Sequence, residues 1–176
     1  AEAAEAQAAG EAARILARAA LLRVMTAVDS GEAFSPALAE LETVAPVDVP
    51  DPLRVAAENG VPTVASLQES FPDAARTALA TARAEVPESD VVGIAEFLKR
   101  QLNVRSVTPR EGDDPDAVLS RAQAAVNAGD INTALTELEA LSETGRAAMN
   151  DWLEAAAARS AAQNAANELA DSLNSN

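Results

Sequence analysis

Histidine, cysteine and tyrosine are absent from this 176-residue chain, and lysine occurs once, at Lys99. Without cysteine there is no thiol chemistry and no disulfide, and without histidine there is no imidazole metal site. Aromatic residues amount to three Phe and one Trp. The acid–base inventory is then Asp, Glu and a single Lys. Paired carboxylates that cleave sugars normally sit in aromatic-lined clefts, which this composition cannot supply. No Gly-rich phosphate loop and no Walker-type Lys occurs, so nucleotide binding has no support. An enzyme is not expected, and neither is a cofactor or a metal. The one dense acidic run, "EGDDPD" at 111–116, lacks the alternating ligands and distal Glu of a calcium loop. It reads as the acidic start of a helix, where the helix dipole favours carboxylates.

Positive charge is also scarce. The formal net charge is −15, and the basic side chains are twelve Arg and one Lys. Nucleic acid is not an expected partner, because neutralising phosphates needs a basic face. An anionic membrane would repel the chain as a whole, so any lipid contact must be local. No run reaches the length of a membrane-spanning helix and no signal peptide is visible. The chain opens "AEAAEAQ" without Met and is read as a piece of a longer protein, with any anchor lying upstream.

What is present is alanine-rich and helical. The hydrophobic fraction is 48%, much of it Ala, so each helix contact buries little area. No alternating pattern of β-branched residues occurs, and the fold class is all-α: a helical bundle of about seven or eight helices. A leading helix over 1–29 carries Ile15, Leu22, Met25 and Val28 as its apolar stripe, and its Ala/Glu start resembles the end of a coiled coil. Gly31 suits a C-cap, and Ser35-Pro36 an N-cap with Pro following. Short helices follow over 36–44 and 52–59. Thr63 opens a helix from Val64 to about Ser70, Pro72 stops or kinks it, and 73–85 gives another.

Residues 90–104 are the most clearly amphipathic segment. Val91, Ile94, Ala95, Leu98 and Leu102 share one face of a helical wheel, with Glu96, Lys99, Arg100 and Asn103 opposite. Phe97 stands at the edge of the apolar face. Lys99, Arg100, Arg105 and Arg110 fall close together, and the only acid among positions 91–110 is Glu96. This reads as the one local basic cluster of the chain. Apolar residues at this spacing usually face a protein core, but basic side chains beside an apolar stripe also suit a membrane interface.

After a polar loop, Asp114-Pro115 marks a helix start. Helices over 115–128 and 131–143 form a C-terminal hairpin joined at Gly129-Asp130. Val118, Ala122 and Ala125 face inward on one side, and Ile131, Leu135 and Leu138 on the other. A long last helix runs from about Arg146 to Leu173. Trp152 reads as a core filler.

The order of these motifs resembles a family. "GVPT" with Leu67 and Phe71 comes first, then the amphipathic segment with Phe97-Leu98, then "NAGDINTAL" (127–135), and "DWLEAAAARSAAQNAANEL" (151–169) closes the series. The set is similar to the C-terminal part of mitofilin in its alphaproteobacterial form, over residues 20–173. Gly129-Asp130 followed by Asp151-Trp152-Leu153 is its most specific part.

The resemblance implies a membrane-shaping scaffold on the periplasmic side of a bacterial inner membrane, equivalent to the crista-junction role in mitochondria. It implies an anchor and coiled coil upstream, a homo-oligomer (dimer or larger), contact with membrane lipid, and partners in outer-membrane assembly. It divides the chain into leading helices (1–59), a lipid-binding-like segment (60–110) and a C-terminal helical domain (111–176). Val91, Ile94, Phe97, Leu98, Lys99, Arg100, Leu102 and Arg105 become the lipid-binding candidates. Gly129, Asp130 and Trp152 become the structural motif. This copy is milder than its mitochondrial relatives in the amphipathic helix, with Glu96 and Gln101 in it. The alternative is a helical protein–protein adaptor without direct lipid contact.

Overall fold

A computed structural model describes residues 1–45, 47–84 and 112–175. These residues form eight helices and no strand, so the chain is all-α. The helices are α1 (Glu2–Ser30), α2 (Ser35–Val44), α3 (Asp51–Ala57), α4 (Val64–Ala84), α5 (Pro115–Ala128), α6 (Ile131–Leu138), α7 (Glu143–Ala147) and α8 (Asn150–Ser175). They fall into two compact units, one of Ala1–Thr63 with Ala155–Asn176 and one of Val64–Glu154.

In the first unit α1 buries Ala17, Ala20, Leu21, Val24 and Val28, which recur at three- and four-residue spacing along one face. Phe34, Leu38, Leu41 and Leu53 complete the core from α2, α3 and the turn before α2, and Ala162, Ala166 and Leu169 close it from α8. The expected stripe of α1 is only partly the buried one. Val28 is buried and Met25 half-buried, but Ile15 and Leu22 are 67% and 65% exposed. The core side of α1 is the one whose small alanines let neighbouring helices come close.

Gly31 ends α1 as expected, with φ 77°, and the Glu32 N–H returns to the Ala27 carbonyl at 3.0 Å. Gly60 has φ 73° and abuts it: a Cβ on Gly60 would sit 2.2 Å from the Gly31 carbonyl oxygen. Two turns thus pack backbone to backbone, which only glycine permits. Arg159 of α8 is the one buried charged residue among those described. Its guanidinium donates to the carbonyls of Val28 at 2.9 Å and Pro62 at 3.2 Å, and to Asp29 Oδ1 at 3.2 Å. It therefore satisfies a carbonyl of the last turn of α1, a group that helix geometry leaves without an intrahelical donor.

In the second unit α4 is one helix of 21 residues with Pro72 inside it, not two helices separated there. Proline has no N–H to give the Gln68 carbonyl one turn back. Burial of Leu67 and Phe71 before it and of Ala78 and Ala82 after it keeps the axis going. The second helix of the hairpin ends at Leu138 rather than 143. The short α7 follows, opened by Ser142, whose hydroxyl accepts the Gly145 N–H at 3.2 Å. The last helix accordingly starts at Asn150.

Candidate functional site

The motif residues Gly129, Asp130 and Trp152 all lie in the second unit. Gly129 sits at φ 80°, in the left-handed region that ends a helix. Its N–H bonds to the Val126 carbonyl, and the Asp130 N–H returns to the Ala125 carbonyl, both at 2.9 Å. Asp130 then caps α6. Its Oδ1 accepts the Thr133 N–H at 3.0 Å and its Oδ2 accepts the Thr133 hydroxyl at 2.7 Å. These two bonds, the backbone one first, hold the Asp130 carboxyl below the usual carboxylate range. One residue thus closes α5 through its N–H and opens α6 through its side chain. Asp114 does similar work at the start of α5, accepting the Asp116 and Ala117 N–H groups at 3.1 Å each. Across the hairpin Arg121 pairs with Glu137 at 2.7 Å.

Trp152 is buried, and its indole Nε1 donates to the Leu67 carbonyl at 3.0 Å. Its ring meets Phe71 edge-on, with centroids 4.8 Å apart and planes at 74°. Leu67 and Phe71 lie in the turn of α4 that Pro72 interrupts. Gln68 of the same turn donates its side-chain amide to the carbonyls of Val126 at 3.0 Å and Asn127 at 3.2 Å, at the end of α5. Trp152 and Gln68 therefore fasten the α4 turn to α8 and to the hairpin corner. The carboxylate of Asp130 is spent on capping and the indole on a backbone carbonyl. The arrangement holds α4, the α5–α6 corner and the start of α8 together.

The lipid-binding candidates Val91, Ile94, Phe97, Leu98, Lys99, Arg100, Leu102 and Arg105 lie outside the described residues. Among the described residues, four large hydrophobic side chains are exposed, and three of them stand on α1: Ile15, Leu16 (48%) and Leu22. The fourth is Val55, on α3, at 80%. Ile15 and Val24 are nine residues apart, about two and a half helical turns, and so lie on opposite sides of α1. The helix is apolar on two sides, and the structure covers one. Arg14 and Arg18 flank the uncovered side and are themselves exposed. They also help line a trough of about 470 Å³, whose walls include Ala13, Ala17, Val44 and Val47.

A second basic stretch thus accompanies the one expected at 99–110. Its signal was available: between Glu11 and Asp29 stand three arginines and no acid. No helix among the described residues is long and apolar enough to cross a membrane. Comparison with family models, curated proteins and solved structures finds no match.

Proposed function

We propose that this chain is a membrane-shaping scaffold domain of the mitofilin type, which self-associates and contacts an inner-membrane surface through an amphipathic helix. Residues 90–104 are the first contact element, with Leu98 among the apolar residues of the helical wheel and Lys99 and Arg100 among the polar ones opposite. The carrying observation among the described residues is the uncovered apolar side of α1, with Ile15, Leu16 and Leu22 open to solvent. A helix with two apolar sides belongs at an interface, because a single contact covers only one of them. The periplasmic side of a bacterial inner membrane, homo-oligomeric assembly and outer-membrane assembly partners belong to the same proposal. Each copy binds weakly alone, and many copies on one surface supply the effect.

The second reading is a helical adaptor that binds a protein partner and no lipid. The observation favouring it is the preformed hairpin of α5 and α6, held to α4 by Gln68.

Co-sedimentation with phosphatidylcholine vesicles, with and without phosphatidylglycerol, at low and high salt, separates the two. The scaffold reading expects salt-sensitive binding to the anionic vesicles, weakened in a folded Leu98→Asp variant. If the chain stays in the supernatant at every composition, and also on vesicles carrying a tethered copy, the adaptor reading replaces it.

A further inference from the structure

The side of α1 that its own unit leaves open carries both a size pattern and a charge pattern. We propose that a second copy of α1 covers it, running antiparallel, with Ile15 beside the two-fold axis and Leu22 seated on alanines in the first turns of the other copy. The proposal rests on the self-association in the reading above and names the surface, orientation and register that carry it.

The two halves of α1 differ in size and in charge. Every residue from Ala1 to Ala12 is exposed, so about three turns of helix bury no side chain in their own chain. A helical stretch of that length is marginal without packing. On a helical wheel Ala1, Ala4 and Ala8 fall in line with Ile15 and Leu22, within about 40° of Ile15. The open side is thus small in its first half and large in its second. Charge divides at the same place. Glu2, Glu5 and Glu11 stand before Ala12, and Arg14, Arg18 and Arg23 after it. Reversing one helix against the other opposes large to small and acid to base, whereas a parallel pair sets like halves together.

The register does not draw on Arg23, which Glu40 engages, or on Arg14, which is also partnered. Glu11 and Arg18 set it. Both are exposed, and both stand on one edge of the open side, about 40–60° from Ile15. In an antiparallel pair the same edge of both copies meets, so Glu11 of each copy can face Arg18 of the other, twice by symmetry. That register centres the overlap between Arg14 and Ile15. The two Ile15 side chains then meet at the axis, and Leu22 comes level with position 7 of the other copy, between Ala4 and Ala8. A large side chain entering the space over small ones is what close helix packing needs. The buried Val24 and Val28 lie on the opposite side of α1, so the core of the unit is left as it is.

The full chain contains no cysteine, so introduced cysteines report the orientation. In the proposed register positions 8 and 22 lie beside each other across the pair, while each lies about 20 Å from its own counterpart. Ala8→Cys/Leu22→Cys should therefore form disulfide-linked dimers under mild oxidation, and Ala8→Cys or Leu22→Cys alone should not. By sedimentation equilibrium the native chain should be a dimer, Ile15→Asp/Leu22→Asp a monomer, and Val55→Asp a dimer like the native chain. Glu11→Arg and Arg18→Glu should each raise the dimer Kd about tenfold, because two exposed pairs are reversed at once. Glu11→Arg/Arg18→Glu should restore it. Cross-linking of either single cysteine variant, or no rescue by the double reversal, overturns the antiparallel register. A dimer that persists in Ile15→Asp/Leu22→Asp overturns this surface, while self-association through another surface stands. If the native chain is monomeric at high micromolar concentration and Ile15→Asp/Leu22→Asp loses binding to phosphatidylglycerol vesicles, lipid is the occupant and the proposal falls. If the native chain is monomeric and neither it nor its tethered form binds any vesicle, the scaffold reading fails and this proposal with it.

Discussion

Trp152 and Leu67 are joined by an indole-to-carbonyl hydrogen bond of 3.0 Å that spans 85 positions of sequence. The bond lands on the carbonyl next to that of Gln68, the one Pro72 leaves without a helix donor. The only tryptophan therefore serves two ends: its ring fills the space against Phe71, and its N–H fixes where α4 meets the start of α8.

Those two roles separate by substitution. Trp152→Phe keeps a ring against Phe71 and loses the hydrogen bond, for an expected loss of about 1 kcal/mol. Trp152→Ala also leaves a cavity, for about 3–5 kcal/mol. Urea denaturation of the two variants checks the ratio. Equal losses would mean that the ring packing contributes nothing.

The left-handed glycines differ in what surrounds them. A Cβ on Gly129 would meet only Val64 Cγ1, at an ordinary 3.7 Å. Gly129→Ala then costs the backbone strain alone, about 1–2 kcal/mol. Gly60→Ala would drive its methyl into the Gly31 carbonyl and should prevent the first unit from reaching its native form. Thermal melts of the two variants, followed by circular dichroism, test the contrast.

Arg159 holds two backbone carbonyls with one guanidinium. Arg159→Met keeps most of the packing and strands both acceptors, for an expected loss of about 2–3 kcal/mol. The ion pair with Asp29 adds little, because the Asp29 side chain is 66% exposed. Asp29→Asn should therefore be nearly silent. Chemical denaturation of both variants decides whether the carbonyls or the ion pair matter.

The Asp130 cap is pH-dependent with a definite sign. Its carboxyl pKa is depressed in the folded chain by the Thr133 N–H and then the Thr133 hydroxyl. Its contribution to stability is complete above the unfolded carboxylate value of about 4 and is lost as pH falls through the depressed folded value. Asp130→Asn removes that dependence. The stability gap between native and variant chains should be constant from pH 7 to about 5 and shrink in stronger acid, as read by denaturation at each pH.

Local chemistry was legible in the sequence where it is settled by neighbours. Gly31, Gly129-Asp130 and Asp114-Pro115 announced their caps because the groups they satisfy lie within five residues. Pro72 misled, since its local penalty was outweighed by burial of Leu67 and Phe71, which depends on partners remote in sequence. Ile15 and Leu22 misled for a related reason. Size pointed to them as core, yet the helices pack through Ala17 and Ala20, whose small volume brings backbones together. Ser142 went unread because its cap opens a helix of only five residues. The basic run around Arg14 and Arg18 was hidden by the acidity of the chain as a whole. The lipid candidates at 91–105 lie outside the described residues.

The corner at Gly129-Asp130 contains no spare chain. The N–H that finishes α5 and the carboxylate that starts α6 belong to the same residue. Such a joint has an angle but no play, like an elbow cut from one piece. One inserted residue would turn α6 by about 100° and carry Ile131 and Ala134 off the core. The hairpin can thus vary on its outer surfaces, while its length at the bend is set to the single residue.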